Sequence, residues 1–438
     1  MVLRALLAIV LSVLFLVGRW NLQRLAVNPD AVDFDLIVER SVTTVLIEPR
    51  LWLVIACVIL LVLMEMGDSR DARVYSGRLE ARTSVRIFFV YSLYLVATIA
   101  WSPNDNPFPA FVDICLMLVT LLVIERAARN EKFVEAFWLW LELLLIAIGA
   151  FALLTQLFLA PAASADLPGR LSILGGGPNI LGRFLGMLCL LMVAQSLVQG
   201  GGLRWSVAWR IVVAAVALIL LLQTGSRGAF TGLLVGLLAL LVVRRMNVKL
   251  IGIGAIVILS FEYLFKAILN ADMIESIDER WLVATLEEGY LSARDVLLEE
   301  AYKLWLERPV FGGGLDSFEY YTFGLERYPH NLVMEMAQGG GIVAVLLLLA
   351  WIVHVVLNSW HGRNHYTEIG LSMTALVFGC ALFSGDFYDS RLLFIFGVLA
   401  ISSADIGSFR QILSAMEDED HGLRLIGMTP SGPAADEG

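Results

Sequence analysis

The residues of this sequence best suited to chemistry are Arg227 and His330. Arg227 lies in the turn "GSRG" at the predicted start of an apolar helix, where free N–H groups and the helix dipole favour an anion. His330 follows Pro329 and is predicted in the first turn of a membrane helix, where the dipole disfavours imidazolium. A neutral imidazole can accept a proton at pH 7. The pattern indicates an anion site and a general base. An arginine that reaches to lipid headgroups and a merely hydrogen-bonded histidine are the structural alternatives.

Two further polar clusters stand at the ends of apolar runs. "GPNILGR" places Asn179 at a predicted helix start and Arg183 four residues later on the same face. A charge one turn inside a membrane helix is costly, so Arg183 is expected to face a cavity or a partner. "SGDFYDSR" places four residues together on the outer side between the last two spans: Asp386, Tyr388, Asp389 and Arg391. An Asp–Arg ion pair and a substrate contact are both consistent with that spacing.

One acidic pair offers a competing chemistry. Asp33 and Asp35 form a D-x-D pattern in the first predicted external loop, and such a pair can hold a catalytic metal, although the pattern is short and frequent. The histidines other than His330 lie in a span or on the predicted cytoplasmic side and show no metal-ligand spacing. The four cysteines all fall within apolar runs, where they behave as small hydrophobes.

The composition predicts an all-α polytopic membrane protein. Hydrophobic residues make up 58% of the chain and charged residues 16%, with a mean hydropathy of +0.78. About twelve apolar runs could cross a bilayer. They begin near Val2, Leu51, Ile87, Ala110, Phe133, Ile180, Val207, Ala229, Leu250, Leu332, Leu371 and Leu392. The distribution of Lys and Arg places both termini in the cytoplasm. The net charge of −10 makes nucleic acid an unexpected partner.

A large polar segment, from about Phe261 to Asn331, separates the ninth and tenth runs and is predicted outside the membrane. Within it, a helix is predicted to start near a capping box of Ser292 and Asp295 and to stop before Pro309. Arg294, Leu298, Ala301 and Trp305 would share one of its faces. We predict one transmembrane domain over residues 1–415, including an external loop at 267–329, and a disordered cytoplasmic tail at 416–438.

These stretches resemble a known family. "GPNILGRFLG", "TGSRGAFTGLLVGLLALL", "RPVFGGGLDSF" and "HNLVMEMAQGGGIVAVLLLL", in this order, are similar to the O-antigen ligase and O-antigen polymerase family, a branch of the membrane-embedded GT-C glycosyltransferases. The resemblance covers roughly residues 170 to 400. It implies a GT-C-like fold and an enzyme of the bacterial inner membrane, with its active site on the periplasmic side.

The resemblance also implies a mechanism and roles for particular residues. The donor would be a glycan on undecaprenyl diphosphate, with Arg227 and Arg294 engaging the diphosphate and His330 assisting the acceptor hydroxyl. Arg183, Asn179, Arg391 and Tyr328 are secondary candidates for substrate contacts. The resemblance implies inversion at the anomeric carbon. Because two guanidinium groups would neutralise the leaving group, we expect no metal or other cofactor. The implied partners are the lipid-linked donor and acceptor and the bilayer, together with a flippase and a chain-length regulator.

The charge of the polar segment favours a polymerase over a ligase. From Glu262 to Arg327 there are fourteen acidic and six basic residues, a difference of −8. Such a surface suits a phosphorylated lipid A core poorly. We therefore predict a polymerase that joins repeat units of O-antigen or exopolysaccharide, with a ligase as the alternative. A transporter of lipid-linked sugar or a small anion, with Arg183, Asp113 and Glu142 along its path, and a non-catalytic scaffold are the alternatives from other classes.

Overall fold

The computed structural model describes residues 2–17, 48–67, 80–158, 171, 177–198, 205–245, 294–323, 328–361 and 364–406. These residues form helices and connecting turns, and no strand occurs among them. The helices are α1 (Val2–Val17), α2 (Pro49–Gly67), α3 (Glu80–Ala97), α4 (Phe108–Ala127), α5 (Glu131–Phe158), α6 (Pro178–Val198), α7 (Trp205–Gln223), α8 (Arg227–Val243), α9 (Arg294–Glu307), α10 (Phe318–Tyr321), α11 (Leu332–His361), α12 (His365–Ala381) and α13 (391–406).

The predicted all-α polytopic membrane fold is confirmed. Seven of the described helices are long and apolar enough to cross a membrane, and α1 and α8 are shorter apolar helices. Large apolar side chains on their outer faces, such as Leu93, Leu139 and Leu346, are more than half exposed, as lipid-facing side chains are. Eleven of the twelve predicted runs coincide with described helices. The run near Leu250 lies outside the described residues, so the count of twelve stays a prediction.

Helix α13 forms the centre of the bundle. It is apolar on every side, and nearly all of its side chains are buried, as expected for a helix without a polar face. The Phe394 ring lies 4.7 Å from that of Phe88 on α3 and 4.8 Å from that of Trp351 on α11. The Phe396 ring stacks on Trp138 of α5 at 5.8 Å. The helices around α13 are thereby held at fixed positions about one aromatic core.

Helix α8 packs closely on α12 through a row of glycines. A Cβ atom on Gly232 would lie 2.4 Å from Cys380 Sγ, and one on Gly236 would lie 2.8 Å from Leu376 Cβ. The spacing of four residues between these glycines places them on one face of α8. Small residues allow two membrane helices to approach closely, which increases their van der Waals contact. The glycines also fix how deeply Arg227, the first residue of α8, is set against α12.

Helix α11 is interrupted at Gly341, whose φ of 66° and ψ of −167° are not helical. The loop 308–314, which follows α9, enters this break. Four backbone hydrogen bonds join them: Gly313 N to Gln338 O (2.7 Å), Gly314 N to Gly339 O (2.8 Å), Ile342 N to Pro309 O (2.9 Å) and Val343 N to Val310 O (3.4 Å). The loop therefore satisfies backbone groups that the break removes from the helix ladder. The sequence analysis treated this run as one uninterrupted span, and the structure corrects that interpretation.

The predicted external helix agrees with α9 in its end but not in the face that it packs. Helix α9 ends at Glu307, before Pro309, as predicted, whereas Ser292 of the capping box lies outside the described residues. Its packed side chains are Leu297, Ala301 and Leu304, which contact Phe318 and Met334; Leu298 and Trp305 are not part of this cluster. This row, rather than the predicted one, faces Met334 of α11. The tail at 416–438 and much of the loop at 267–329 lie outside the described residues, and the domain boundaries stay predictions.

Replacing Gly341 with Ala is expected to destabilise the protein by about 2 kcal/mol or more, because a left-handed conformation and a steric overlap both oppose the new methyl group. A Cβ there would lie 2.2 Å from Val310 O. The measurement is the fraction of protein that stays monodisperse after heating, by size-exclusion chromatography. Gly177→Ala is the matched control, since a Cβ at Gly177 meets nothing within 4 Å. Equal thermal stability of the two variants would contradict the role of the break.

Candidate active site

The loop between α12 and α13, residues 382–390, is where the predicted site residues meet. Side chains from three other elements bind its backbone. Asn331 Nδ2 donates to Leu382 O (2.9 Å), Arg294 Nη1 to Phe383 O (2.6 Å), and Arg183 to Ser384 O (3.4 Å) and Asp389 O (2.8 Å), while Glu335 Oε1 accepts from Phe387 N (3.2 Å). This α12–α13 loop therefore joins α6, α9 and the start of α11 at one end of the bundle.

Arg294 and His330 lie within electrostatic reach of each other at this loop. The pKa of His330 is lowered from 6.5 to about 4, first because the ring is largely buried and second because the positive charge of Arg294 opposes imidazolium. The carboxylate of Asp389 acts in the opposite direction and raises the pKa. The imidazole is therefore neutral at pH 7, as the sequence analysis predicted. The causes are burial and the charge of Arg294.

His330 stands just outside α11 rather than in its first turn, which corrects the predicted position. Asn331 is the residue that caps the helix: its Oδ1 accepts a hydrogen bond from Met334 N at 3.0 Å. The backbone of His330 is left-handed, with φ of 56°, a conformation that turns the chain sharply before the helix. The ring of Tyr328 lies edge-on to the imidazole, with ring centroids 4.6 Å apart. Tyr328 and Asn331 thus hold His330 from both sides.

The start of α8, which carries Arg227, packs against the same loop through Gly228. Ser226 caps α8, since its hydroxyl accepts from Ala229 N, and that hydroxyl donates to Asn179 Oδ1 at 2.9 Å. Asn179 therefore fixes the start of α8 against α6, which is a positioning role that the sequence did not specify. One residue on, a Cβ at Gly228 would lie 2.9 Å from Phe383 Cβ. Phe383 is thus contacted both by Arg294, through its carbonyl, and by the first turn of α8.

Arg183 has the partner that its position inside a span requires. It is 7% exposed, and its two hydrogen bonds hold both ends of the α12–α13 loop. A Cβ at Gly385 would lie 3.0 Å from Arg183 Nη2 and 2.8 Å from Asp389 Cβ, so only glycine leaves room for the guanidinium under the loop. Arg183 thereby sets the position of Asp389 relative to His330. Its predicted substrate contact stays a prediction.

Arg391 belongs to a buried cationic network that includes Arg50, a residue the sequence analysis missed. Both guanidinium groups lie against the ring of Tyr388, at 4.4 Å for Arg50 and 4.7 Å for Arg391. Arg50 Nη1 pairs with Asp113 Oδ1 at 2.6 Å, and Arg391 Nη2 donates to Phe15 O at 3.1 Å. These contacts favour the structural interpretation of Arg391. Arg50 follows a proline at the start of an apolar run. Its sequence context is therefore the same as that of an arginine at the membrane surface.

A cavity of about 70 Å³ opens beside His330, at the break in α11. Tyr328, which contacts His330, forms part of its wall, and so do Gln338, Gly339 and Gly340 from the broken helix. The α12–α13 loop contributes Asp386, Phe387 and Tyr388. Irregular backbone at membrane depth occurs where it is buried in protein or lines a cavity, and both conditions hold here. No sequence signal predicted this cavity, because its walls come from α3, α4, α10, α11 and loops distant in sequence.

The described residues hold no group of three or more His, Cys, Asp or Glu side chains that could bind a metal ion. The D-x-D pair, Asp33 and Asp35, lies outside the described residues.

Two of the acidic side chains that could line a transport path are engaged in the protein: Asp113 pairs with Arg50, and Glu142 Oε2 accepts from Gln195 Nε2 at 2.7 Å. Among the described helices Gly341 is the one interior break, so the paired broken helices of many transporters are not seen there.

Replacing Arg294 with Gln is expected to raise the pKa of His330 from about 4 toward its ordinary value of 6.5, because loss of the nearby positive charge stabilises imidazolium. Asp389→Asn should lower the pKa of His330 further, because it removes the carboxylate that raises this pKa. The measurement is the ¹⁵N-histidine NMR titration of the protein in nanodiscs, with His330→Ala to assign the resonance. A wild-type midpoint near 6.5 would contradict the buried placement of the ring.

Replacing Arg183 with Gln is expected to destabilise the fold by about 2 kcal/mol, because two loop carbonyls lose a charged donor. Arg183→Lys should recover only part of this loss, since an ammonium cannot span both carbonyls as the guanidinium fork does. The measurement is the melting temperature of the detergent-solubilised protein. Arg126→Gln, at a side chain that is half exposed, is the control and should melt like wild type. A melting temperature unchanged in Arg183→Gln would show that the loop does not depend on it.

Comparison with known proteins agrees with the resemblance found in the sequence. Residues 211–349 match the model of a family described as O-antigen ligase. A search of curated proteins finds no match to the chain. The matched stretch runs from α7 into α11, and it contains Arg227, Arg294 and His330. The predicted resemblance is thereby confirmed over residues 211–349: this part of the polytopic membrane protein is similar to the O-antigen ligase family.

Proposed function

We propose that this protein transfers a glycan from undecaprenyl diphosphate to a hydroxyl group of an acceptor glycan, at the periplasmic face of the bacterial inner membrane. The observation that supports this most directly is the meeting of two kinds of group at the α12–α13 loop. Arg294 binds the loop carbonyl of Phe383, and its charge acts on His330, a neutral imidazole. A cation for a diphosphate and a base for a hydroxyl are the two groups that such a transfer needs.

In the proposed step, an acceptor hydroxyl attacks the anomeric carbon of the donor sugar. Its oxygen forms the new glycosidic bond while the bond from that carbon to the phosphate oxygen breaks, with inversion. The hydroxyl proton passes to His330, and the electron pair leaves with undecaprenyl diphosphate. Arg227 and Arg294 stabilise the negative charge that develops on the leaving oxygen, as guanidinium forks do with phosphates. Their two positive charges supply what a divalent metal supplies in other transferases, so the proposed reaction proceeds without one.

The electrostatic setting of His330 suits a base that must be neutral before reaction. Burial and Arg294 keep the ring uncharged at pH 7, and the carboxylate of Asp389 stabilises the imidazolium once the proton has been transferred. A base with a pKa near 4 drives proton transfer weakly by itself. Asp389 and the negative charge arriving with the donor diphosphate would both raise this pKa, because each favours the charged ring. The base would therefore strengthen when the donor binds.

We propose a polymerase as the first candidate, in which the acceptor is another lipid-linked repeat unit. The excess of acidic residues, fourteen against six basic ones from Glu262 to Arg327, supports an acceptor whose sugars carry no phosphate groups. A ligase that transfers the glycan to lipid A core is the second candidate. The description of the matching family, O-antigen ligase, is the observation that favours it.

The test is incubation of purified protein with a lipid-diphosphate-linked oligosaccharide in EDTA, followed by mass analysis of the glycan. A polymerase is expected to give a ladder of longer lipid-linked products, and His330→Ala, Arg227→Ala and Arg294→Ala should each reduce its rate about 100-fold or more, because each removes a group that acts on the reacting atoms. Transfer that appears only after lipid A core is added would identify a ligase.

Controls separate loss of chemistry from loss of fold. Lys303→Ala, on the exposed side of α9, should retain full activity, since its contacts are surface ion pairs with Glu299 and Glu300. Full activity in all three site variants would refute the assignment of the site. Activity lost in EDTA and restored by a divalent metal would instead direct attention to Asp33 and Asp35.

A further inference from the structure

The cavity at the break of α11 has walls of one charge sign. Four carboxylate residues line it: Asp316, Glu335 and Asp386, together with Asp113, which is paired with Arg50. None of the lining residues that the structure describes is Lys, Arg or His. Arg294 binds the α12–α13 loop at Phe383, a residue that does not line the cavity, and Gly228, next to Arg227, packs on the same Phe383. The site is therefore divided into a cationic part and an acidic part, with His330 near both.

The same cavity also has aromatic walls. Phe318, Tyr328, Phe387 and Tyr388 line it together with the carboxylates and the amide of Gln338. Aromatic faces pack against the apolar C–H surface of a sugar ring, while carboxylate and amide groups bind its hydroxyls. A few polar groups set in an apolar wall are the usual means by which a pocket fixes the orientation of a small ligand. The lining thus suits a polyhydroxylated ring better than a fatty chain or a phosphate.

The volume and position limit what part of a ligand can enter. About 70 Å³ holds several water molecules but not a whole oligosaccharide, so it fits the hydroxyl-bearing edge of one sugar. Tyr328 contacts the cavity on one side and the His330 ring on the other, at 4.6 Å. A sugar held here would lie one aromatic ring away from the base. The acceptor is the substrate whose hydroxyl must give its proton to a base. It is therefore the substrate that needs to bind close to His330.

The acidic walls are fixed in place, so their charge cannot turn away from an incoming ligand. Asn104 Nδ2 donates to Asp316 O at 3.0 Å and to its side-chain Oδ2 at 3.2 Å, and Glu335 Oε1 accepts from Phe387 N at 3.2 Å. Asp386 Oδ1 accepts from Asp389 N at 2.8 Å. Each contact holds a carboxylate that still has further lone pairs for hydroxyl donors. A phosphate or carboxylate on the ligand would meet like charges in a confined space.

From this geometry we infer that the cavity is the subsite for the terminal sugar of the acceptor, and that it selects a neutral or amino-bearing sugar against one that carries a phosphate or carboxylate. The assignment of the cavity to the acceptor rests on the proposed function. The selection against charged sugars rests on the residues that line the cavity. The inference assigns a specificity role to Asp316 and Glu335, which the chemical step does not use.

The test measures sugar binding without turnover, by saturation-transfer-difference NMR on protein in nanodiscs at pH 7. The probes are the methyl glycosides of glucose, galactose, mannose, rhamnose and N-acetylglucosamine, each neutral, and methyl glucuronide and methyl glucoside 6-phosphate, each anionic. At least one neutral glycoside is expected to bind about tenfold more tightly than both anions, a difference that one added like charge in a partly enclosed site can produce.

Substitutions of the lining carboxylates test whether these side chains cause the preference for neutral sugars. The double variant Asp316→Asn, Glu335→Gln keeps size and hydrogen-bonding capacity but removes two charges, and the preference for neutral sugars should fall below threefold. Asparagine suits the left-handed backbone of Asp316, whose φ is 58°, so the substitution is compatible with the fold. Glu299→Gln removes a carboxylate from the exposed face of α9 and should leave the preference unchanged. If the double variant fails to elute as a monodisperse peak, Asp316→Asn alone is measured. Its preference for neutral sugars is expected to be at least twofold lower than that of wild type.

The result that overturns the inference is any of three: no saturation transfer from the neutral glycosides, a wild-type preference below threefold, or an equal preference in the charge-removed and wild-type proteins. His330→Ala separates this outcome from failure of the proposed function. It should bind the neutral sugar as wild type does while losing transfer. Sugar binding with charge selection but no dependence of transfer on His330 would retain the subsite and reject the chemistry.

Discussion

The site depends on the binding of polar side chains to the backbone of the α12–α13 loop. A loop at the end of a membrane bundle has carbonyl groups that neither a helix nor bulk water satisfies, and unsatisfied carbonyls are costly there. Arg183, Arg294 and Asn331 bind four of them, from three separate elements. Each bond satisfies the loop and at the same time fixes the side chain that makes it. The loop is therefore the common reference to which the cations and the histidine are positioned.

A second constraint is the interruption of α11. A left-handed residue inside a membrane helix leaves backbone groups without partners, and the 308–314 loop supplies them by direct hydrogen bonding. This hydrogen bonding between the loop and the broken helix has two consequences for the site. It anchors the end of α9, which carries Arg294 at its other end, and it leaves space at Gly339 and Gly340 for the cavity. The same irregularity that would be unfavourable in an isolated helix thus creates both a rigid support and a binding space.

The charged side chains that line the cavity are carboxylates, whereas Arg294 binds the loop at Phe383 and Arg50 and Arg391 pack on Tyr388. His330 lies where the charges of Arg294 and Asp389 have opposite effects on its pKa. In a transfer between two lipid-linked glycans, donor and acceptor are chemically alike, and an enzyme must still place each in its own position. A diphosphate drawn to the arginines and an uncharged sugar end drawn to the carboxylates would be sorted by charge before any reaction takes place. Electrostatics would then determine orientation as well as rate.

The sequence by itself determined the membrane class, the apolar helices and the resemblance to the O-antigen ligase family, because these depend on local composition and spacing. The same local motifs predict Arg227, Arg294 and His330 as site residues. Only the tertiary structure decided that Arg183 and Arg391 bind backbone carbonyls, that Arg50 joins Arg391 across Tyr388, and that α11 is broken at Gly341. Those features arise between segments hundreds of residues apart, and a guanidinium group or a glycine has the same sequence signature whether its partner is a lipid, a substrate or another part of the chain.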